Sequence, residues 1–153
     1  MKRKAIFILL SILITTGASG QGIPEELQSR IRYSENMQNL MYTNDKNNNL
    51  FFTGFFTDSI QIEDMKLYAS GIMDFFIAKY DQHKNLLWIK HGGGSHVDFC
   101  KFINIDQKEN IYITGLFSGR AIIEDQVMVA QGKYGYFTAK YNKDGSLMWI
   151  KTQ

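Results

Sequence analysis

A chain of 153 residues with 44% apolar and 14% aromatic side chains can bury one modest core. Its single proline and 13 glycines suit a β protein with tight turns better than a helix bundle. Three of the 17 basic residues fall in the first four positions, so the remainder carries 14 against 15 acidic residues, a net charge of −1; with no basic stripe to displace counterions from phosphates, nucleic-acid binding is set aside.

The chain opens with Lys2, Arg3 and Lys4, an apolar run from Ala5 to Ile14, and small residues ending in Ala18, Ser19 and Gly20. This pattern predicts a signal peptide over residues 1–20, cut before Gln21, and export to the periplasm, cell surface or medium. The run is too short to cross a bilayer, which takes roughly 20 apolar residues, and no second candidate follows, so no membrane span is expected after cleavage. No cysteine lies near the cut to take a lipid. In residues 21–33, Pro24, Glu25 and Glu26 followed by Arg30 and Arg32 predict a short helix whose charges suit its dipole.

From Ser34 onward the sequence repeats. Shifted by 61 residues, Ser34 through Lys90 aligns without a gap with Ser95 through Lys151, and 19 of the 57 pairs are identical. Such a period marks solenoids, propellers or arrays and divides the chain into units 34–94 and 95–153. Each unit predicts four main strands: Asn39 to Asn44, Leu50 to Phe56, Phe75 to Tyr80 and Leu86 to Lys90 in the first, with their copies in the second. Asp144-Gly145 marks a hairpin before the last strand. A shorter hairpin is expected with Glu63-Asp64 at its tip, recurring at Glu124-Asp125.

Phe76, Ala78 and Tyr80 are kept as Phe137, Ala139 and Tyr141, so this face is expected to look into the core. The second strand is apolar on both faces, which calls for sheets stacked face to face. Gly54 and Gly115 leave room for close backbone approach. Two stacked blades cover only one face of each other, so Phe51, Phe55 and their equivalents are expected at exposed outer faces.

Asn110 to Gly115, Phe137 to Tyr141 and Gly145 to Trp149, with Gly92-Gly93-Gly94 at the junction, resemble the repeats of bacterial cell-surface propeller proteins, the family often called SBBP. The resemblance covers residues 34 to 151 and implies an all-β fold: two four-stranded antiparallel propeller-type blades, an incomplete β-propeller, since propellers close with about four to eight blades.

Asp45, Asn47 and Asn49 have the alternating spacing of calcium loops, but the copy places Lys108 among Asp106 and Asn110, and a plain turn is the simpler reading. His91, His96, Asp98 and Cys100 match no established metal spacing and are not repeated, so they read as a solvated linker, with Cys100 itself a small apolar residue. The acidic pairs Glu63-Asp64 and Glu124-Asp125 read as turn tips, because adjacent strand residues point opposite ways. Trp88 and Trp149, with Tyr80 and Tyr141, are assigned to core packing ahead of sugar stacking. The triglycine reads as a flexible junction. No catalytic, cofactor-binding or metal residue is assigned and no cofactor is expected.

The leading expectation is a non-catalytic binding or scaffold module for a protein or glycan, with a homo-oligomer completing the ring. The alternatives are a remnant of a longer propeller protein without independent activity and an envelope hydrolase or lyase.

Overall fold

A computed structural model describes residues 36–153; the expected signal peptide and short N-terminal helix lie outside the described residues. Twelve strands follow one another: β1 (Met37–Asn44), β2 (Leu50–Phe56), β3 (Ser59–Ile62), β4 (Met65–Tyr68), β5 (Asp74–Tyr80) and β6 (Leu86–Gly94) in the first unit, and β7 (Phe99–Ile105), β8 (Ile111–Phe117), β9 (Arg120–Ile123), β10 (Gln126–Val129), β11 (Gly135–Tyr141) and β12 (Leu147–Thr152) in the second. The four long strands of each unit form an antiparallel blade, ordered β1-β2-β5-β6 and β7-β8-β11-β12. The fold is all-β, two four-stranded antiparallel propeller-type blades.

Between β2 and β5, and between β8 and β11, the chain makes the short hairpins β3-β4 and β9-β10. The second hairpin joins the blade before its own. β9 pairs antiparallel with the end of β6, opposing Gly92, Gly93 and Gly94 to Ile123, Ile122 and Ala121, so one six-stranded sheet crosses the unit boundary. The triglycine is therefore the end of a strand and not a flexible junction. A Cβ at Gly94 would run into the carbonyl oxygen of Arg120, and one at Gly92 would lie 2.7 Å from the Phe75 ring. Only glycine lets β9 come this close.

Two cores result. In the first, the kept face of blade 1 (Phe52, Phe76, Ala78, Tyr80) packs with Ile60, Ile62 and Leu67 of its own hairpin. In the second, the same face of blade 2 (Ile113, Phe137, Ala139, Tyr141) packs with Ala121, Ile123 and Met128 of its hairpin and with Phe51, Phe75 and Ile77 from the opposite face of blade 1. β2 is thus apolar on both faces because both are covered. Phe51 and Phe55, expected at an exposed outer face, are not there: Phe51 is fully buried between the blades and Phe55 is half-buried against the edge of Phe99; among the described residues the open outer face is that of blade 2.

Both blades carry bulges at matching positions. Asn39 and Leu40 in β1, and Lys101 in β7, bulge beside Gly54 and Gly115. A Cβ on Gly54 would meet Leu40 at 2.8 Å and Phe76 at 3.2 Å, and one on Gly115 would meet the Phe99 carbonyl and the Phe137 ring. At these two glycines the phenylalanine repeated in both units, Phe76 or Phe137, lies against the backbone. Leu87 and Met148 are the extra residues of bulges in β6 and β12, which accounts for their exposure.

Candidate binding surfaces

At one end of the blades the strands are joined by four turns of one design. Asp45, Asp81, Asp106 and Asn142 each accept, through one side-chain oxygen, the backbone N–H groups two and four residues on. In the three Asp turns the second carboxylate oxygen takes the side-chain amide of Asn49, Asn85 or Asn110 at 2.7 to 2.9 Å. The fourth turn residue is left-handed in every case: Asn48, Lys84, Glu109 and Gly145. These are short hairpin loops ending in a left-handed residue, pinned by an Asx side chain. The oxygens of Asp45 are thereby occupied by the chain's own N–H donors, which is the geometry of a turn. The donors hold the Asp106 carboxyl down to about 2, Asn110 contributing most, and shift Asp81 the same way through Asn85.

Neighbouring turns touch across the blades. Asn47 donates to Glu109 at 2.9 Å, the ammonium of Lys79 donates to the carbonyl of Lys143 at 2.9 Å, and Gly145 lies against the ring of Trp88. A depression of about 210 Å³ lies between the turns at Asp45 and Asp106. The tips themselves, Lys46, Asn47, Gln82, His83, Gln107, Lys108, Lys143 and Asp144, are exposed.

The opposite end holds two buried carboxylates. Asp98 accepts the N–H of Gly94 at 2.7 Å and that of Ser118 at 3.1 Å, tying the end of β6 to the end of β8. Asp74 accepts the N–H of Ser70 at 3.0 Å, and its other oxygen is buried without a partner among the described residues. Burial raises both pKa values, and the negative charge of Asp74 raises that of Asp98 further. Above them a cleft of about 500 Å³ is lined by Ser70, His91, the triglycine, Ser95, Arg120, Ile122 and Glu124.

The residues read as a solvated linker are split between two environments. His91 and His96 are exposed, but Asp98 and Cys100 are fully buried. They are not linker: Cys100 lies in β7 within the second core, and Asp98 is held by the N–H groups of Gly94 and Ser118. Burial pushes the Cys100 thiol up to about 12, so it is a neutral apolar group. Among the described residues no group of three or more His, Cys, Asp or Glu side chains is arranged to hold a metal ion. Glu63-Asp64 and Glu124-Asp125 occupy the tips of β3-β4 and β9-β10, with left-handed backbone at Glu63 and Glu124. Glu124 pairs with Lys90 at 3.1 Å.

Phe76, Phe137, Tyr80 and Tyr141 are core residues; Trp88 and Trp149, assigned to the core as well, are half-buried, Trp88 packing against the second core on the face that blade 2 covers and Trp149 lying on the uncovered face of blade 2. Trp88 meets the edge of Phe51, and Trp149 the edge of Tyr112. Blade 2 presents on its outer face Tyr136 and Phe102, both more than half exposed, with Lys140 over the Tyr112 ring and Lys151 over that of Trp149.

No protein-family model matches the chain. It is similar to an uncharacterized WD repeat-containing protein, L264, of Acanthamoeba polyphaga mimivirus: 31% identical over 103 aligned residues, covering 56% of this chain and 7% of that protein's length. In this chain each unit's tryptophan is followed by isoleucine, Trp88-Ile89 and Trp149-Ile150. The 61-residue period, the four-stranded blades and this similarity agree on a propeller-type repeat protein.

Proposed function

We propose that the chain is an exported, non-catalytic binding or scaffold module, of the kind found in bacterial cell-surface repeat proteins, which presents the turn-bearing end of its blades to a protein or glycan. The observation that carries this reading is the set of four pinned turns, whose exposed tips stand side by side on a frame of buried strands. Because each loop is short and tied by three or more hydrogen bonds around its Asx residue, a ligand meets a surface already ordered and little entropy is lost on binding. Tips of Lys, Gln, Asn and His suit polar ligands, consistent with recognition through hydrogen bonds at a wet surface.

The test is a glycan array together with a pull-down from envelope extracts, using the exported chain and variants altered at Lys46-Asn47, Gln82-His83 and Gln107-Lys108. A reproducible ligand whose binding falls in these variants is expected. No reproducible ligand, or one indifferent to all three pairs, would count against the reading. Export is checked separately by mass spectrometry of the secreted chain, which is expected to begin at Gln21.

A further inference from the structure

The outer face of blade 2 carries copies of three side chains that, in blade 1, hold the next unit. Lys79 donates to the Lys143 carbonyl in the turn of unit 2, Trp88 receives Gly145 of that same turn, and Lys90 pairs with Glu124 at the tip of hairpin β9-β10. Their copies are Lys140, Trp149 and Lys151. In blade 1 the aromatic face between these points is buried, with Phe75 1% exposed; in blade 2 its counterpart Tyr136 is 57% exposed.

We infer that Lys140, Trp149 and Lys151 form a three-point socket for a further propeller-type unit whose Asx turn has glycine in fourth position and whose hairpin tip carries a glutamate. The internal interface defines this occupant. A Cβ on Gly145 would lie 2.9 Å from the Trp88 ring, so the turn entering the socket must have no side chain there. The socket's lysines and the absence of any acidic residue from strands β7, β8, β11 and β12 select a carbonyl and a carboxylate as partners.

Unit 1 of a second copy fits less well. It offers Glu63 at its hairpin tip, but Lys84 stands where Gly145 does, in the same left-handed conformation. Its inner face is also already covered, with Phe52, Phe76 and Tyr80 fully buried. Unit 2 meets all three requirements, so a second unit of its sequence is the natural probe.

The experiment continues the chain beyond Thr152 with a second copy of residues 92–153 carrying Lys140→Arg, which keeps the 61-residue register and leaves one Lys140, and follows lysine acetylation by mass spectrometry. Lys79, buried in the internal socket, is the slow reference, and Lys140 the fast one. In the extended chain Lys140 is expected to slow to the rate of Lys79. Gly145→Lys in the added copy should restore its reactivity, whereas Gly132→Lys in the added copy, at a site with nothing nearby, should not.

A fast Lys140 beside a folded added unit, judged by protection of the added Cys100, would overturn the inference. If the added unit does not fold, the original chain still decides: Gly145→Lys there should release Lys79 and leave Lys140 unchanged, and an unchanged Lys79 would overturn the socket. Protection of Lys140 in the original chain by self-association, or by polygalacturonate as an anionic polysaccharide, would assign the face to that occupant instead.

Discussion

Phe75 and Tyr136 stand at one register position in two blades of one plan, opposite Phe55 and Gly92 in the first and the equivalent Leu116 and Gln153 in the second, yet they live in different surroundings. Phe75 stacks on Phe137 of the next blade with ring centroids 5.1 Å apart, while Tyr136 points to water. Around them the same change recurs: Phe51 becomes Tyr112 and Ile77 becomes Thr138, each fully buried in blade 1 and half-exposed in blade 2. The added hydroxyls fall on the face left open. By contrast, the positions that hold the turn and the hairpin tip of the next unit, Lys79 and Lys90 through their ammonium groups and Trp88 through its ring, are unchanged in the copy. Composition follows burial, and the polar fittings follow the period.

That contrast can be broken by paired substitutions. Phe75→Ala removes a ring packed between the blades and should cost about 3–5 kcal/mol, whereas Tyr136→Ala should stay within about 0.5 kcal/mol, both read from urea unfolding. Equal costs would mean that the two faces are covered alike in solution. Gly94→Ala forces a side chain into the β6-β9 pairing and should cost about 1–3 kcal/mol, against near neutrality for Gly132→Ala, which has open space around it.

The buried Asp74 gives a pH dependence. Burial holds its carboxyl above the ordinary 3.8, so folding takes up protons between that value and the raised one. The stability it confers is complete below pH 3.8 and is lost as pH rises through the folded value. Asp74→Asn is neutral throughout, and in thermal melts from about pH 4 to pH 8 it should flatten this slope and melt above the parent at neutral pH. A steeper slope in the variant would refute the assignment. The smallest effect is expected of Lys90→Ala, whose half-exposed pair with Glu124 contributes about 0–1 kcal/mol; a larger loss would show that the hairpin tip depends on this pair.

Much of each blade was legible in the sequence, because strand length, β-branched and aromatic content and the alternation of Phe76, Ala78 and Tyr80 are properties of one strand and one face. The partner of β9 was not. Pairing between units leaves no alternation inside either unit, and three successive glycines read as slack when they are in fact a strand stripped of side chains to admit a neighbour. The turns were half legible: Asp144-Gly145 announces one, and the Asp-to-Asn spacing of four at Asp45, Asp81 and Asp106 carries the same message less loudly. Asp74 and Asp98 were hidden for a different reason. A carboxylate's burial depends on the chain packed around it: Ser70 and Gly94 each donate from four residues away, a spacing any exposed turn also shows, and Ser118 reaches Asp98 only once β8 is in place. Their one sequence signal is that the other unit lacks them, with Gly135 and Met37 in the matching places.

The pairing of β9 with β6 also sets a timetable for synthesis. Blade 1 is complete once Gly94 has been made, but its last edge is sealed only when the hairpin ending at Val129, about 35 residues later, has followed. At translation speeds of about 5–20 residues per second, the nascent chain spends a few seconds with an open, glycine-rich strand edge. During that interval another chain could pair there in place of its own hairpin, so crowding of nascent copies, more than the stability of the finished protein, should set how much of it is lost to aggregation.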